Sequence, residues 1–270
     1  MTRLATAALI LALWSFPAWA NAKMTLLVQT LAISEVAQIL RAEGLAYAET
    51  LHQDMLDGQG GDFWYVQVDR IYDTAAIEEA VRQSLETGMT EAEIEAALAF
   101  FGSARGDQII SFENAARRAM SDPDVETEAR ARFAALRDSP NHVFDRVQRF
   151  IEVNDLIERN VSGAMSSHHN FYTGLSDGRF IALDSQEILS LVWSEEGSIR
   201  EDTQGWLSGF LLLAYEPLPQ EDLDAYIDYS ETASGRALNA ALFDGFGQVY
   251  QDISYALGRA IALSADAEEI

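Results

Sequence analysis

Along most of this chain, apolar residues recur at the three- and four-residue spacing that places them on one face of a helix. Val36, Ile39, Leu40, Tyr47, Leu51 and Met55 predict a helix that begins near Ser34 and stops at the glycine-rich run 57–61. Asp73-Thr74 predicts the start of another, carrying Ile77, Val81 and Leu85, with Gly88 as a left-handed stop. Thr90-Glu91-Ala92-Glu93 has the form of a capping box, in which a hydroxyl and a carboxylate satisfy free amides at a helix start. That helix carries Ile94, Leu98 and Phe101, and a further one is expected from about Ala104 to Met120.

The second part of the chain reads the same way. Ser121-Asp122-Pro123 and Asp138-Ser139-Pro140 bracket a short Arg/Glu-rich helix, since proline suits a first turn and not a helix interior. A long amphipathic stretch follows through Val143, Phe144, Val147, Phe150, Ile151, Leu156 and Ile157, with a loop at 174–178. Ser185 opens a segment with Ile188, Leu189, Val192 and Trp193. Gly197 is expected to break it, and a separate helix then reaches Tyr215. Pro217 and Pro219 precede a helix with Leu223, Tyr226 and Ile227, and a last helix holds Leu238, Leu242, Phe243, Phe246, Val249, Ile253 and Leu257. The one run of strand-type residues, Phe63 to Val68, is short and isolated and is read as helical. The expected class is all-α.

An internal repeat is superimposed on this pattern. A single ungapped shift carries Asp73-Thr74 onto Asp202-Thr203, Ile94-Glu95-Ala96 onto Leu223-Asp224-Ala225, and Leu98 onto Ile227. The same shift carries Phe100 onto Tyr229, Ser103 onto Thr232, Gly106 onto Gly235 and Ile109 onto Leu238. One helix would end near the aromatic, and the hydroxyl would cap the next. Glycine costs about 1 kcal/mol inside a helix, so its use at both positions points to close backbone packing. These six residues, Phe100, Ser103, Gly106, Tyr229, Thr232 and Gly235, form a candidate structural corner or interaction site. The expected organisation is a helical repeat over 23–121, a helical connector rich in Arg and Glu over 122–150, and a second repeat over 151–270.

The segments Phe100-Phe101-Gly102-Ser103-Ala104-Arg105-Gly106 and Tyr229-Ser230-Glu231-Thr232-Ala233-Ser234-Gly235 resemble the aromatic-x-x-Ser/Thr-x-x-Gly signature of an exported bacterial family known as domain of unknown function 2059. Members usually show Phe-Tyr at the aromatic pair, where this chain has Phe100-Phe101 and Tyr229-Ser230. The resemblance implies a helical fold and an exported address, and no catalytic residues.

The N-terminus has its own character. Arg3 precedes an apolar stretch from Leu4 to Phe16, and Ala20-Asn21-Ala22 fits the small-x-small rule, so residues 1–22 read as a signal peptide cleaved after Ala22. The expected location is a bacterial periplasm, or the medium beyond it. The apolar run from Trp206 to Tyr215 is about half of a spanning length and is read as a buried helix, so no stable membrane insertion is expected after cleavage.

Composition narrows the chemistry. With 43 acidic and 18 basic residues the net charge is −25, which argues against nucleic acid as a partner. The absence of cysteine excludes disulfides, thiolate metal sites and a thiol nucleophile. Of the four histidines, His168 and His169 are adjacent and poorly placed to chelate on a helix, and no acid follows them until Asp177. No metal site, cofactor or catalytic residue is assigned. Glu113 is the acid nearest an apolar face, and its spacing predicts an ion pair with Arg117. The arginines gathered between Arg117 and Arg159 are expected to be ion-paired across the connector.

The sequence therefore points to a non-enzymatic exported protein that binds another protein or an envelope component. One alternative is a small-ligand binder with an aromatic pocket between the repeats, near Trp64 or Trp206. Another is a hydrolase that uses a carboxylate such as Glu113.

Overall fold

A computed structural model describes residues 16–136 and 142–266, and among them the chain is all-α. The helices are α1 (Phe16–Thr30), α2 (Ile33–Leu56), α3 (Gly61–Ile71), α4 (Thr74–Gly88), α5 (Glu91–Phe101) and α6 (Ala104–Ala119). They continue with α7 (Pro123–Leu136), α8 (His142–Val153), α9 (Leu156–Asp177), α10 (Ser185–Tyr215), α11 (Gln220–Ser230) and α12 (Ala233–Asp266). The expected second proline boundary, Asp138 to Pro140, lies outside the described residues, as do Arg137 and most of the apolar stretch after Arg3.

Several helix starts follow their sequence signals. Asp73 accepts from the Ala76 amide at 2.8 Å, and Thr90 with Glu93 completes a capping box. The run from Phe63 to Val68 is helical, inside α3.

Other boundaries differ from expectation. α2 starts from Ala32, whose left-handed φ of 51° reverses the chain without a side-chain cap, while the Ser34 hydroxyl is engaged by Glu78 instead. Gly88 is not a left-handed stop. It ends α4, and the extended Met89 follows. A Cβ at Gly88 would lie 2.9 Å from that of Ala241, so glycine is there to let α12 approach. The stretch from Val143 to Ile157 is two helices, parted by Asn154 and a left-handed Asp155. Gly197 does not break its segment. α10 runs unbroken for 31 residues, because one glycine among good helix formers costs less than two new helix ends. Asp202 is consequently mid-helix, unlike its counterpart Asp73, and binds Arg130 at 2.9 Å. Tyr47 is exposed. The inner face of α2 passes through Gly44 and Ala48, where the Tyr72 ring occupies the space a larger side chain would need.

Buried side chains gather in three clusters. One joins α2, α3 and α4 with Leu175 of α9 and Val249, Ile253, Leu257 and Ile261 of α12. A second joins α6, α7, α8, α10 and α11 through Ile109, Phe133, Val147, Phe150, Leu211, Tyr215 and Leu223. The third packs Met24, Leu27 and Val28 of the first helix, with Leu31 of the turn after it, against Val81, Ile94, Phe101, Tyr229 and Leu238. The first and third clusters join early and late segments of the chain, while the second is built from its middle. The arginines of α6, α7 and α8 add ties across the fold: Arg117 to Glu43, Arg118 to Glu35, Arg132 to Glu216, Arg146 to Asp224 and Arg149 to Glu231.

No helix among the described residues is long and apolar enough to cross a membrane.

Candidate functional site

The two corners have matching local geometry. Ser103 and Thr232 each cap the following helix by accepting from the glycine amide three residues on, at 3.2 and 3.0 Å. Each hydroxyl also donates back to the carbonyl of the preceding aromatic, at 2.6 Å to Phe100 and 2.7 Å to Tyr229. The intervening residues, Gly102 and Glu231, have φ of −77° and −76°. A Cβ on Gly106 would come within 2.3 Å of the Phe101 Cα, and one on Gly235 within 2.1 Å of the Tyr229 carbonyl oxygen. The glycines are therefore required by backbone contact and not by an unusual dihedral angle.

The fold brings these corners face to face. Phe100 stacks on Tyr229 with ring centroids 4.5 Å apart and planes 14° apart, and Phe101 and Tyr226 complete the aromatic group. Polar contacts cross reciprocally. Arg105 pairs with Asp222, while Ser234 donates to the Glu93 carbonyl at 2.7 Å. Under the repeat shift Arg105 corresponds to Ser234 and Asp222 to Glu93. Each side thus contributes equivalent positions, as in a contact across a two-fold axis. The first corner also borders a groove of about 610 Å³, shared with the turn after α1 and lined by Gln29, Glu35, Ser103 and Asp107.

Beside this junction lies Glu113. It accepts a hydrogen bond from the Tyr215 hydroxyl at 2.6 Å, and burial pushes its carboxyl up to about 7, with Tyr215 and Tyr226 partly offsetting the rise. The expected Glu113–Arg117 pair is not formed. Arg117 instead grips Glu43 with two hydrogen bonds at 2.9 and 2.7 Å, donates to Tyr250 at 3.0 Å and lies over the Trp206 ring. A planar fork meeting a carboxylate with two bonds outcompetes a one-turn neighbour.

A second groove, of about 510 Å³, runs between α9 and α10 and reaches Gln251 of α12. Its polar side is the Ser162, Ser166, His169 and Asn170 face of α9. Its apolar side is Val161 and Met165 opposite Leu189, Val192 and Trp193. Leu189 is 49% exposed and Trp193 63%, although both sit one turn apart on a helix whose Ile188 and Val192 are buried. Arg200 crosses one end, held by Glu158 at 2.9 Å and by Glu196 at 2.8 Å. Elsewhere between α9 and α10, His168 contacts Glu195 at 2.8 Å, and Tyr172 donates to the same carboxylate at 2.9 Å. His168 has no acid close to it along the chain, and its partner comes from the next helix.

The aromatic sites singled out from sequence are placed differently. Trp64 is fully buried and stacked against His52, and Trp206 stacks on Phe210. The groove residues of α9 escape the sequence reading. Their one signal is the run of small polar positions Ser162, Gly163, Ser166 and Ser167, too polar and too small for a core-facing helix. No group of potential metal ligands occurs among the described residues. In comparisons with known proteins, no family model, no curated protein and no solved structure matches this chain.

Proposed function

We propose that this is an exported, non-enzymatic binding protein, and that the groove between α9 and α10 is its binding surface. The observation that carries this reading is the pairing of exposed Leu189 and Trp193 with a polar α9 face across an open groove of about 510 Å³. That volume lies in the range of small-molecule sites, and such sites combine apolar walls with a few placed polar groups. Exposed tryptophan beside a concavity is also typical of recognition surfaces.

Export is supported by the signal-like sequence of residues 1–22 and by the burial of the residues just after it. Met24, Leu27 and Val28 are core residues, so a cut after Ala22 would leave them in the chain. The likeness of both corners to domain of unknown function 2059 belongs with the same reading. In this reading the corners are structural, joining two related helical units, and the groove is the functional surface.

A hydrolase built on Glu113 is the weaker alternative. Its carboxyl has the raised pKa that general acid catalysis uses. However, Glu113 lines neither the corner groove nor the groove between α9 and α10.

The test is binding of the neutral probe N-phenyl-1-naphthylamine. Its emission should rise saturably with the wild-type protein, and Trp193→Ala and Leu189→Ser should each remove most of the rise. A rise unaffected by both variants would place the apolar surface elsewhere.

A further inference from the structure

The hydrogen-bonding side of the groove is largely unspent. Its lining there is Ser162, Ser166, His169 and Asn170 of α9 with Gln251 of α12, a set of hydroxyl, imidazole and amide groups. Asn170 donates one N–H to the Ser166 carbonyl at 2.8 Å, and the Ser166 hydroxyl donates to the Ser162 carbonyl at 2.9 Å, leaving its oxygen able to accept. Among the described residues nothing bonds the amide oxygen of Asn170, the His169 ring or the Gln251 amide. The neighbouring His168 differs, since Glu195 engages it together with Tyr172.

The charges of the groove, by contrast, are committed to one another. Its charged lining residues are Glu158, Glu196 and Arg200. Arg200 donates to both carboxylate oxygens of Glu158 and, through Nε, to Glu196 at 2.8 Å. An anion would meet no unpaired cation among them and would approach a chain of net charge −25. A cation would have to compete with Arg200 for its carboxylates. An acyl chain would find Leu189, Val192 and Trp193 on one side, but on the other it would strand the amides and the imidazole without partners.

The ligand that suits these walls is neutral, apolar on one face and rich in hydroxyls at its edge. A pyranose ring has that form. Its C–H face suits the face of an aromatic ring, where the π-system is negative, and each of its hydroxyls both donates and accepts. We propose that the groove takes an uncharged oligosaccharide, with a ring face on exposed Trp193 and hydroxyls bonded by His169, Asn170 and Gln251. Carboxamide and imidazole groups each offer a donor and an acceptor, which matches a hydroxyl. The lining runs along α9 from Glu158 to Asn170, about 18 Å at the helical rise, which is longer than one sugar ring. This inference rests on the groove being the binding surface.

The experiment titrates the full exported protein by calorimetry with cellotriose, maltotriose and triacetylchitotriose in turn. At least one should bind saturably and displace N-phenyl-1-naphthylamine. Trp193→Ala should weaken that sugar at least about tenfold, the scale of a lost ring contact. Asn170→Ala and Gln251→Ala should each weaken it about three- to tenfold, the scale of one neutral hydrogen bond, while N-phenyl-1-naphthylamine still binds. High salt should leave the sugar affinity within about twofold, because no charge is exchanged. Arg179→Gln, at an exposed position outside the groove, should match wild type. If N-phenyl-1-naphthylamine binds and none of the three sugars does, the oligosaccharide assignment is overturned and the groove reading stands. A sugar affinity that survives Trp193→Ala, or both amide variants, or that falls steeply with salt, overturns the assignment as well. If neither the sugars nor N-phenyl-1-naphthylamine bind wild type, both readings are overturned together.

Discussion

Replacing Gly106 or Gly235 by alanine sets two physical effects against each other. Helix propensity alone favours alanine over glycine by about 1 kcal/mol in a helix. Packing opposes it. The new methyl at 106 would stand 2.3 Å from the Phe101 Cα and 2.5 Å from the Phe100 carbonyl oxygen, and the one at 235 would stand 2.1 Å from the Tyr229 oxygen. These are backbone atoms that cannot rotate aside. The capping bonds from Ser103 and Thr232, and the Phe100–Tyr229 stack, would have to open to make room. Overpacking of this kind costs about 1–3 kcal/mol, occasionally more, and the strained contact is worse here than in a yielding side-chain core. A net loss of about 1–2 kcal/mol is expected for each variant. At this chain length that lowers Tm by roughly 2–4 °C per kcal/mol. Gly197→Ala is the matched control. Its Cβ meets nothing within 4 Å, so propensity acts alone and stability should rise by up to about 1 kcal/mol. Urea unfolding followed by far-ultraviolet circular dichroism measures all three. If Gly106→Ala and Gly235→Ala stabilise the protein as Gly197→Ala does, close packing at the corners is refuted.

The carboxyl of Glu113 is raised in the folded state to about 7 from an ordinary 4.5, so the folded protein holds a proton there that the unfolded chain releases. Its contribution is fully present below about pH 4.5 and is lost as pH rises through about 7, with an upper bound of about 3 kcal/mol. Glu113→Gln keeps an acceptor for Tyr215 and should remove that slope, as read from urea midpoints across the window. Arg117→Leu strips the two-bond partner from Glu43 and should cost about 1–3 kcal/mol, tempered by partial exposure of both side chains. N-terminal sequencing of the exported protein should begin at Lys23, whose side chain already pairs with Glu91 and Glu95. A start within the core residues Met24 to Leu31 would contradict that boundary.

What could be read from sequence divides along a physical line. Helix starts made by local hydrogen bonding were legible, because Asp73, Thr90 with Glu93, and Ser103 carry their caps within four residues. The corner was legible twice over, since its hydroxyl, aromatic and glycine act on one another locally. Features decided by distant partners were not legible. Gly88 looked like a stop and is a contact with α12, while Ala32 and Asp155 adopt left-handed turns that their residue types do not announce. Arg117 had a plausible partner one turn away and took Glu43, far off in sequence. The groove was hidden for a related reason. Leu189 and Trp193 share a segment with buried Ile188 and Val192, and apolar spacing alone does not separate a face that meets the core from one that meets a cleft.

The binding role depends on the α9–α10 groove being the surface that binds. Amide hydrogen exchange, measured with and without saturating N-phenyl-1-naphthylamine, tests this segment by segment. Slowed exchange concentrated in residues 158–170 and 189–200 is the predicted result. Unchanged exchange in those two segments, with protection gained elsewhere, would contradict it.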